Sequence, residues 1–396
     1  MVGTSPDAHV PVTTGSPGAA SVVPMRVAIV TESFLPSVNG VAGTVRHVVD
    51  RLVATGHEVL VVAPGPGPTR YGDRTEVVRV RSMALPGYRS FPLGLPDSAV
   101  LAALTRFRPD VVHLASPILL GAVGLRAAHR LDVPVVAVFQ TDVAGFARQY
   151  GVRADLAIDR WVANLHRRAD RNLVPSTTSW RQLAGLGVTD LHLWRRGVQL
   201  DLFGGRHRDE ALRSSWAPGA PTVVGYVGRL APEKRVRRLV ELADLPGTNL
   251  VVVGDGPERA WLQQRLPRAT FTGMLGGPEL ARTFASLDVF VHTGEAETFC
   301  QTVQEAQASG VAVVAPAAGG PLDLVEHGRT GSLFDVRDGA ALRREVAAVV
   351  ADPGHRHAVA TAGAQAVAAR SWARVVDDLV EHYRAVLGST SDRLAA

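Results

Sequence analysis

Apolar runs of strand length alternate with segments of helical spacing along most of the chain. The run MRVAIVTESF at 25–34 has strand length, and the following segment places apolar residues three and four positions apart until Gly56. The run EVLVVAP at 58–64 is strand-like again, so this stretch predicts a βαβ unit. The same alternation predicts further strands at 77–83, 111–116, 133–140 and 172–176, and helices over 120–130 and 153–169.

A second alternating series follows a segment without periodicity. Residues 198–208 carry a Gly-Gly pair and predict a linker. Beyond it, strands are predicted at 222–230, 249–257, 269–275, 288–294, 311–318 and 331–336, with helices at 258–265 and 278–286. Because the strands are apolar throughout and separated by helices, we predict an α/β fold with two doubly wound parallel sheets. The crevice between such sheets is a natural ligand site.

The two ends of the chain differ from this pattern. Residues 1–24 are rich in Pro, Gly, Ser and Thr and predict a disordered tail. The segment 371–388 predicts one amphipathic helix capped by Ser371, and with no strand after it we expect it to pack back onto the first domain. The predicted domains are therefore 25–204 and 205–370, with a C-terminal helical segment at 371–396.

Composition narrows the class of protein. No run approaches the roughly 18 apolar residues of a membrane span. The single cysteine, Cys300, excludes an internal disulfide framework and fits a reducing compartment, so we expect a cytoplasmic protein. The net charge of +5 comes mostly from arginine, which suits phosphate-bearing partners. No zinc-finger, RNP or leucine-heptad pattern accompanies it, so nucleic acid is not an expected partner.

Two glutamates mark the first candidate site. In GEAETFCQTVQEAQASG (294–310), Glu297 lies in the predicted turn from strand to helix and Glu305 lies within the helix. The backbone N–H groups of four residues at the helix start would face the crevice and favour a phosphate or sugar oxygen: Phe299, Cys300, Gln301 and Thr302. The alternative is that Glu297 complements the helix dipole and Glu305 lies on a solvated face.

Two cationic side chains mark the second candidate site. In GYVGRLAPEKRV (225–236), a strand runs into a glycine turn that carries Arg229 and Lys234, which would neutralise a diphosphate leaving group. GDGPER (254–259) lacks the third glycine of a dinucleotide fingerprint, and no phosphate-binding GxxxxGK[ST] loop occurs. No acidic pair with supporting ligands follows a strand, so we predict no metal and no cofactor.

The sequence resembles glycosyltransferase family 4, whose members are retaining enzymes of the GT-B fold. The resemblance rests on GRLAPEK, VVGDGPER, FTGML and ETFCQTVQE in the second half, and on VAIVTESFLPSVNGVAGTVRHVVDRLVATGHEV, PDVVHLASP and WRRGVQLDLF in the first. It extends over roughly residues 25–388. It implies an acceptor-binding domain at 25–204 and a nucleotide-sugar donor domain at 205–370.

The resemblance also implies roles for individual residues. Arg229 and Lys234 would hold the donor diphosphate, Glu297 would contact hydroxyls of the donor sugar, and Glu305 would bind the nucleotide ribose. Backbone N–H groups at 299–301 would assist Glu297. The turn Asn39-Gly40 begins the first helix and would let a phosphate approach closely, although it also fits an ordinary turn between strand and helix.

One position departs from the family pattern. Many relatives have His-Thr-Asp where this chain has Gln140-Thr-Asp142. Glutamine keeps a hydrogen bond but cannot carry a proton, so we expect no proton transfer there. Gln140 and Asp142 are predicted in the sugar pocket. His113 is a candidate for the acceptor side, with a core position as the alternative.

The predicted function is transfer of a hexose, mannose from GDP-mannose, to a lipid or glycolipid. Within the family, QTDVAGFARQYG and TESFLPSVNGV resemble actinobacterial α-mannosyltransferases that act on glycolipids, and more loosely phosphatidylinositol mannosyltransferases and sulfolipid synthases. A lipid acceptor would bring the protein to the anionic inner face of the cell membrane. The alternatives are a soluble enzyme for a small metabolite, a nucleotide-sugar epimerase and a non-catalytic binding module.

Overall fold

The computed structural model describes residues 23–37, 39–85, 88–149, 154–217, 219 and 222–395. The predicted tail at 1–24 lies almost wholly outside the described residues. Within them the chain forms two α/β units that follow each other in sequence.

The first sheet has eight strands in the described residues, in the order β10-β9-β8-β7-β1-β2-β4-β3. All neighbours are parallel except β3 and β4, which are antiparallel. Its strands are β1 (Arg26–Thr31), β2 (Glu58–Pro64), β3 (Arg70–Tyr71), β4 (Thr75–Val80), β7 (Val111–Ala115), β8 (Val135–Val138), β9 (Arg171–Val174) and β10 (Leu191–Leu193), and β5 (Ser82–Leu85) and β6 (Tyr88–Gly94) form a separate hairpin. Its helices are α1 (Gly40–Ala54), α2 (Ser98–Phe107), α3 (Leu120–Arg130), α4 (Val143–Gln149), α5 (Asp155–Arg167) and α6 (Thr177–Gly185).

Within the described part of the chain, the second sheet has six parallel strands in the order β13-β12-β11-β14-β15-β16. They are β11 (Thr222–Val227), β12 (Thr248–Val253), β13 (Thr270–Gly273), β14 (Val289–Val291), β15 (Ala312–Pro316) and β16 (Ser332–Phe334). The helices are α7 (Glu210–Trp216), α8 (Arg259–Arg265), α9 (Gly277–Ala285), α10 (Gln301–Ala308), α11 (Pro321–Leu324), α12 (Ala341–Ala351), α13 (Pro353–Val367) and α14 (Trp372–Ala395), with short 3-10 helices at Gly205–His207, Pro232–Lys234 and Val236–Leu242.

Both faces of the first sheet are covered, which explains the unbroken apolar runs in its sequence. Val27 and Ile29 of β1 point into the core beneath α1 and α14. Ala28 and Val30 point to the opposite face, where α2 and α3 pack. A strand buried on both faces has no solvent side and therefore needs no polar alternation.

The C-terminal helix α14 follows the second unit in sequence but packs on the first. Leu379 and Tyr383 are buried in the core that contains β1 and α1. Arg51 of α1 makes a bidentate ion pair with Asp377, at 2.8 and 2.7 Å. The predicted cap is present, because Arg374 N donates to Ser371 Oγ at 3.3 Å. None of the described helices combines the length and apolarity that a membrane span requires.

Several parts of the fold were not predicted from the sequence, among them helices α6, α12 and α13 and the β5–β6 hairpin. The β5–β6 hairpin lies in a segment with Pro and Gly, where the sequence predicts only a single strand that ends at residue 83. Helix α13 buries Val359, Ala360, Gly363 and Val367 at helical spacing. That spacing is hidden in the sequence because alanine and glycine also occupy the other faces of the helix.

Candidate active site

The carboxyl ends of the two sheets meet across a crevice. The backbone oxygen of Gln140, two residues after β8, accepts a hydrogen bond from Thr298 Oγ1, beyond β14, at 2.9 Å. The backbone N–H of Thr177, beyond β9, donates to Asp323 of α11 at 2.9 Å. Both bonds join segments that follow strands of different sheets. The edge at which parallel α/β sheets bind ligands is therefore shared by the two units.

Glu297 lies in the segment that joins β14 to α10, and 15 % of its side chain is exposed. The segment packs against the Gly-Gly pair after β15, where Gly320 N donates to the backbone oxygen of Glu297 at 2.7 Å. A Cβ atom on Gly319, which has φ +60°, would lie 2.7 Å from the same oxygen. Glycine is therefore required here for the close approach that holds the Glu297 segment in place.

The Glu297 carboxylate has two cationic neighbours. Lys234 Nζ lies 2.5 Å from Glu297 Oε1, and His292 Nε2 lies 3.2 Å from the same oxygen. The His292 contact has the distance of an ion pair without the geometry of a hydrogen bond. Thr293 Oγ1 donates to the backbone oxygen of Lys234 at 2.7 Å and fixes the lysine beside β14. Tertiary structure thus brings together two of the predicted residues, Lys234 and Glu297.

These contacts determine the charges in the crevice. Burial alone would raise the pKa of Glu297, but Lys234 and His292 hold it well below its usual range. Burial would lower the pKa of His292, but Cys300 and Glu297 outweigh it and raise that pKa to about 9. The pKa of Lys234 is also raised, because Glu297 outweighs the effect of burial. At neutral pH the site therefore contains an ionised carboxylate between an ammonium and an imidazolium.

Arg229 lies on the turn after β11, and its Nη1 is 3.3 Å from Glu233 Oε1. Tyr226 Oη donates to the backbone oxygen of Arg229 at 3.1 Å. Gly254, in the GDGPER segment, contacts this turn so closely that a Cβ atom would collide with the backbone of Gly228. The GDGPER segment therefore supports the turn that carries Arg229 and Lys234.

Helix α10 begins at the crevice without a capping side chain among the described residues. Its N-cap residue, Cys300, has φ +79°, and its side chain and that of Phe299 are buried in the core of the second unit. Gln301 and Thr302 are half-buried. Gln301 Nε2 donates to the backbone oxygen of Gly197 at 2.9 Å, which ties the helix start to the segment that joins the two units.

Glu305 is half-buried in the middle of α10. Burial raises its pKa from 4.5 to about 8, and a hydrogen bond with Gln301 offsets this only in part. In the unliganded protein Glu305 is thus mostly protonated at neutral pH, whereas Glu297 is ionised. The two predicted glutamates therefore differ in charge although only seven residues separate them in the chain.

The first unit contributes Gly40 and Gln140 to the crevice, and Arg196 joins them. Gly40 begins α1, whose N-cap Asn39 accepts hydrogen bonds from Val41 N and Ala42 N. A Cβ atom on Gly40 would lie 2.7 Å from Arg196 Nη1. Arg196 Nη2 donates to Gln140 Oε1 at 3.3 Å. In the sequence this arginine belongs to WRRGVQLDLF, where it was given no role.

Asp142 and His113 have structural partners. Asp142 Oδ1 accepts from Gly145 N at 2.8 Å and from Gln182 Nε2 at 3.1 Å, so it caps the start of α4. The predicted position of His113 on the acceptor side is corrected: its ring is fully buried in β7, with Nδ1 2.6 Å from Tyr383 Oη of α14. Burial lowers the pKa of His113 to about 3, which keeps the ring neutral.

Three side chains of the described residues could hold a metal ion. They are His292, Glu297 and Cys300, whose ligand atoms all lie within 4.8 Å of one another. The Lys234 ammonium already contacts this carboxylate at 2.5 Å, and its charge opposes a second cation there. Metal-independent chemistry stays a prediction.

Three residues of the site were not predicted from the sequence, and each contacts a predicted site residue. They are Arg196, His292 and Thr298, and none belongs to a recognisable spacing. The position of His292 directly after a strand that ends at the crevice was the available signal. For Arg196, the signals were its place in WRRGVQLDLF and its position next to the predicted linker.

Comparisons with known proteins identify the family of the chain. A family model described as Glycosyltransferase Family 4 matches residues 38–202, and one described as Glycosyl transferases group 1 matches residues 208–366. A GDP-mannose-dependent alpha-mannosyltransferase of Mycolicibacterium smegmatis is 53% identical over 94% of this chain and 100% of its own. A protein of the same name from Mycobacterium tuberculosis is 50% identical over 94% of this chain and 99% of its own.

Solved structures show the same fold at low identity. Sucrose-phosphate synthase from Thermosynechococcus elongatus superposes with a TM-score of 0.78 at 21% identity, covering 92% of this chain and 100% of that chain. Anabaena HepE in complex with UDP superposes with a TM-score of 0.73 at 20% identity, covering 91% of this chain and 100% of that one. The chain therefore belongs to glycosyltransferase family 4, and it is a glycosyltransferase of the GT-B fold.

Proposed function

We propose that this glycosyltransferase transfers mannose from GDP-mannose with retention of configuration. The observation that carries the proposal is its similarity over full length to three relatives named GDP-mannose-dependent alpha-mannosyltransferase. Their identities are 53%, 50% and 45%, and the matches span 100%, 99% and 90% of their own lengths.

The charges of the crevice support a diphosphate donor. Lys234 and Arg229 would neutralise the diphosphate, because a departing phosphate gains negative charge as its bond to the sugar breaks. The uncapped N-terminus of α10 would add its positive dipole end. Glu297, held ionised by Lys234 and His292, would accept hydrogen bonds from hydroxyls of the sugar. Glu305 would accept hydrogen bonds from the ribose.

The proposed chemistry is a front-face displacement. The bond between the anomeric carbon and the diphosphate oxygen breaks with both electrons going to the oxygen, and the acceptor oxygen bonds to the same face of that carbon. The acceptor hydroxyl proton passes to the departing diphosphate. Glu297 then acts by positioning the donor, and no glycosidase-like pair of carboxylates is required. Gln140 likewise holds a hydrogen bond without carrying a proton.

The proposed acceptor is a lipid or glycolipid at the inner face of the cell membrane. A Mycobacterium tuberculosis relative that is 30% identical is named GDP-mannose-dependent alpha-(1-6)-phosphatidylinositol dimannoside mannosyltransferase, and the match spans 89% of its length. The net charge of +5 supports contact with anionic headgroups. A small-metabolite acceptor is the alternative outcome of the membrane experiment below.

Donor choice is tested by thermal unfolding with GDP, UDP and ADP. A nucleotide at about 100 times its Kd adds about 2.7 kcal/mol to the free energy of unfolding. We expect this stabilisation from GDP at concentrations where UDP and ADP give little, and we expect mannosyl transfer from GDP-mannose to a membrane lipid extract. Preferential stabilisation by UDP would refute the assignment of mannose as the donor sugar. It would not affect the assignment of the chain as a glycosyltransferase.

Membrane contact is tested by flotation. We expect the protein to float with vesicles of phosphatidylcholine and phosphatidylglycerol at low salt, and to be released at about 0.5 M salt because exposed charges are then screened. Pure phosphatidylcholine vesicles serve as the control. Protein that stays at the bottom of the gradient with both vesicle types, yet transfers mannose to a water-soluble acceptor, would favour the small-metabolite alternative.

A further inference from the structure

The guanidinium of Arg196 is a buried charge whose hydrogen bonding is incomplete. The residue is only 8% exposed. Among the described residues it has no carboxylate within ion-pair distance, and its side-chain hydrogen bond goes to the neutral Gln140 Oε1 at 3.3 Å. The neighbouring Arg195 differs, because its Nη2 lies 3.4 Å from Asp323 Oδ2. A buried cation without an anionic partner is costly, so the position calls for a partner that the unliganded chain does not supply.

Two buried nitrogen atoms of Arg196 and Gln140 are hydrogen-bond donors without an acceptor in the described part of the chain. They are Arg196 Nε and Gln140 Nε2. The amide oxygen of Gln140 is already used by Arg196, which leaves its NH₂ group available. Two adjacent orphan donors, one of them cationic, are complementary to a group that only accepts hydrogen bonds and carries negative charge.

The surroundings favour the same kind of ligand. Arg196 Nη1 lies beside Gly40 at the start of the 15-residue helix α1, whose N-terminal dipole end attracts anions. The backbone oxygen of Arg196 accepts from Gln304 Nε2 of α10 at 3.1 Å. The arginine is therefore anchored to the helix that begins after the Glu297 segment, while its side chain reaches into the first unit. Burial lowers its pKa to about 10 and Glu297 opposes that shift, so it is charged at neutral pH.

We propose that Arg196 and Gln140 bind phosphate oxygens of the donor diphosphate from the first unit, opposite Arg229 and Lys234 of the second. The inference rests on the proposed nucleotide-sugar donor and adds a residue that lies outside the GRLAPEK and ETFCQTVQE motifs. The donor is favoured over a phosphate of the acceptor because Gln140 contacts the Glu297 segment: Thr298 Oγ1 donates to the backbone oxygen of Gln140 at 2.9 Å. In this arrangement Arg196 of the first unit and Arg229 and Lys234 of the second all contact the donor diphosphate.

Binding of guanosine, GMP and GDP to Arg196→Gln tests the proposal. We expect guanosine affinity to match the wild type and GDP affinity to fall about 10- to 100-fold, since one charge-assisted contact is lost. Arg196→Lys should recover part of the GDP affinity because it keeps the charge but not the planar fork. Arg51→Gln removes an arginine of the same unit that pairs with Asp377, and it should leave the affinities for all three ligands unchanged.

A second variant covers the case in which Arg196→Gln fails to fold. Gly40→Ala places a methyl group 2.7 Å from the observed position of Nη1 and so displaces the guanidinium while retaining it. It should also weaken GDP binding more than guanosine binding. Folded variants whose ratio of GDP to guanosine affinity equals that of the wild type would overturn the role of Arg196 alone. A wild-type protein that binds no nucleotide would instead overturn the donor assignment itself.

Discussion

Replacing Lys234 by methionine is expected to lower kcat/KM by about 100- to 1,000-fold. Lys234 Nζ lies 2.5 Å from Glu297 Oε1, and its ammonium is one of two charges that keep this buried carboxylate ionised. The variant loses a cation that would stabilise the departing diphosphate, and it also leaves Glu297 with His292 alone. Steady-state kinetics with GDP-mannose and a lipid acceptor measure the change.

Arg235→Met is the matched control for this variant. Arg235 is the next residue in the chain, its side chain is 60% exposed, and it lies 3.7 Å from Glu295 rather than Glu297. We expect the control to retain activity within about threefold, because exposed ion pairs contribute little. Equal losses from the two substitutions would mean that general charge, and not the contact with Glu297, explains the Lys234 effect.

Nucleotide affinity is expected to increase with pH until about pH 8 because of Glu305. Its pKa is raised from 4.5 to about 8 by burial, so the free protein binds a proton there at neutral pH. A carboxylate that accepts two ribose hydroxyl bonds must first lose that proton. If only the ionised form binds, affinity rises roughly 50-fold between pH 6 and pH 8 and then levels off. Isothermal titration with GDP across this range measures it.

Glu305→Gln separates this effect from the ionisation of the nucleotide itself. The nucleotide phosphate titrates equally with both proteins, so only the wild type should show the additional dependence. GDP affinity of the variant at pH 8 should be about 10- to 100-fold weaker, since a charged hydrogen-bond acceptor is lost. In the unliganded wild type the raised pKa adds stability below about pH 4.5, and this stability is lost as the pH rises through about 8. Parallel pH profiles for the two proteins would contradict the role of Glu305.

The sequence predicted local structure well where apolar spacing was strong. The helices over 120–130 and 258–265 were found within one residue of α3 and α8. The periodicity of α1 and its stop at Gly56 were likewise read from the chain. Helix α13 was not predicted because alanines lie on its buried and its exposed faces alike. The β5–β6 hairpin was not predicted because its segment has no clear alternation of apolar and polar residues.

His113 illustrates the limit for single polar residues on apolar strands. Its sequence position, on an apolar strand, fitted both a pocket and a core. The choice depended on Tyr383, which is 270 positions away in the chain and whose hydroxyl lies 2.6 Å from the ring. Tyr383 lies on α14, the helix that packs back on the first unit, and local sequence spacing does not indicate its contact with His113.

The sequence by itself determined two parallel α/β units, the turn carrying Arg229 and Lys234, and the strand-to-helix segment carrying Glu297. These follow from local spacing, because apolar periodicity and glycine turns act over a few residues. The tertiary structure alone decided the contact between Lys234 and Glu297, 63 positions apart, and that between Arg196 and Gln140, 56 apart. The charges of the site depend on burial and on these distant partners, so local sequence spacing does not reveal them.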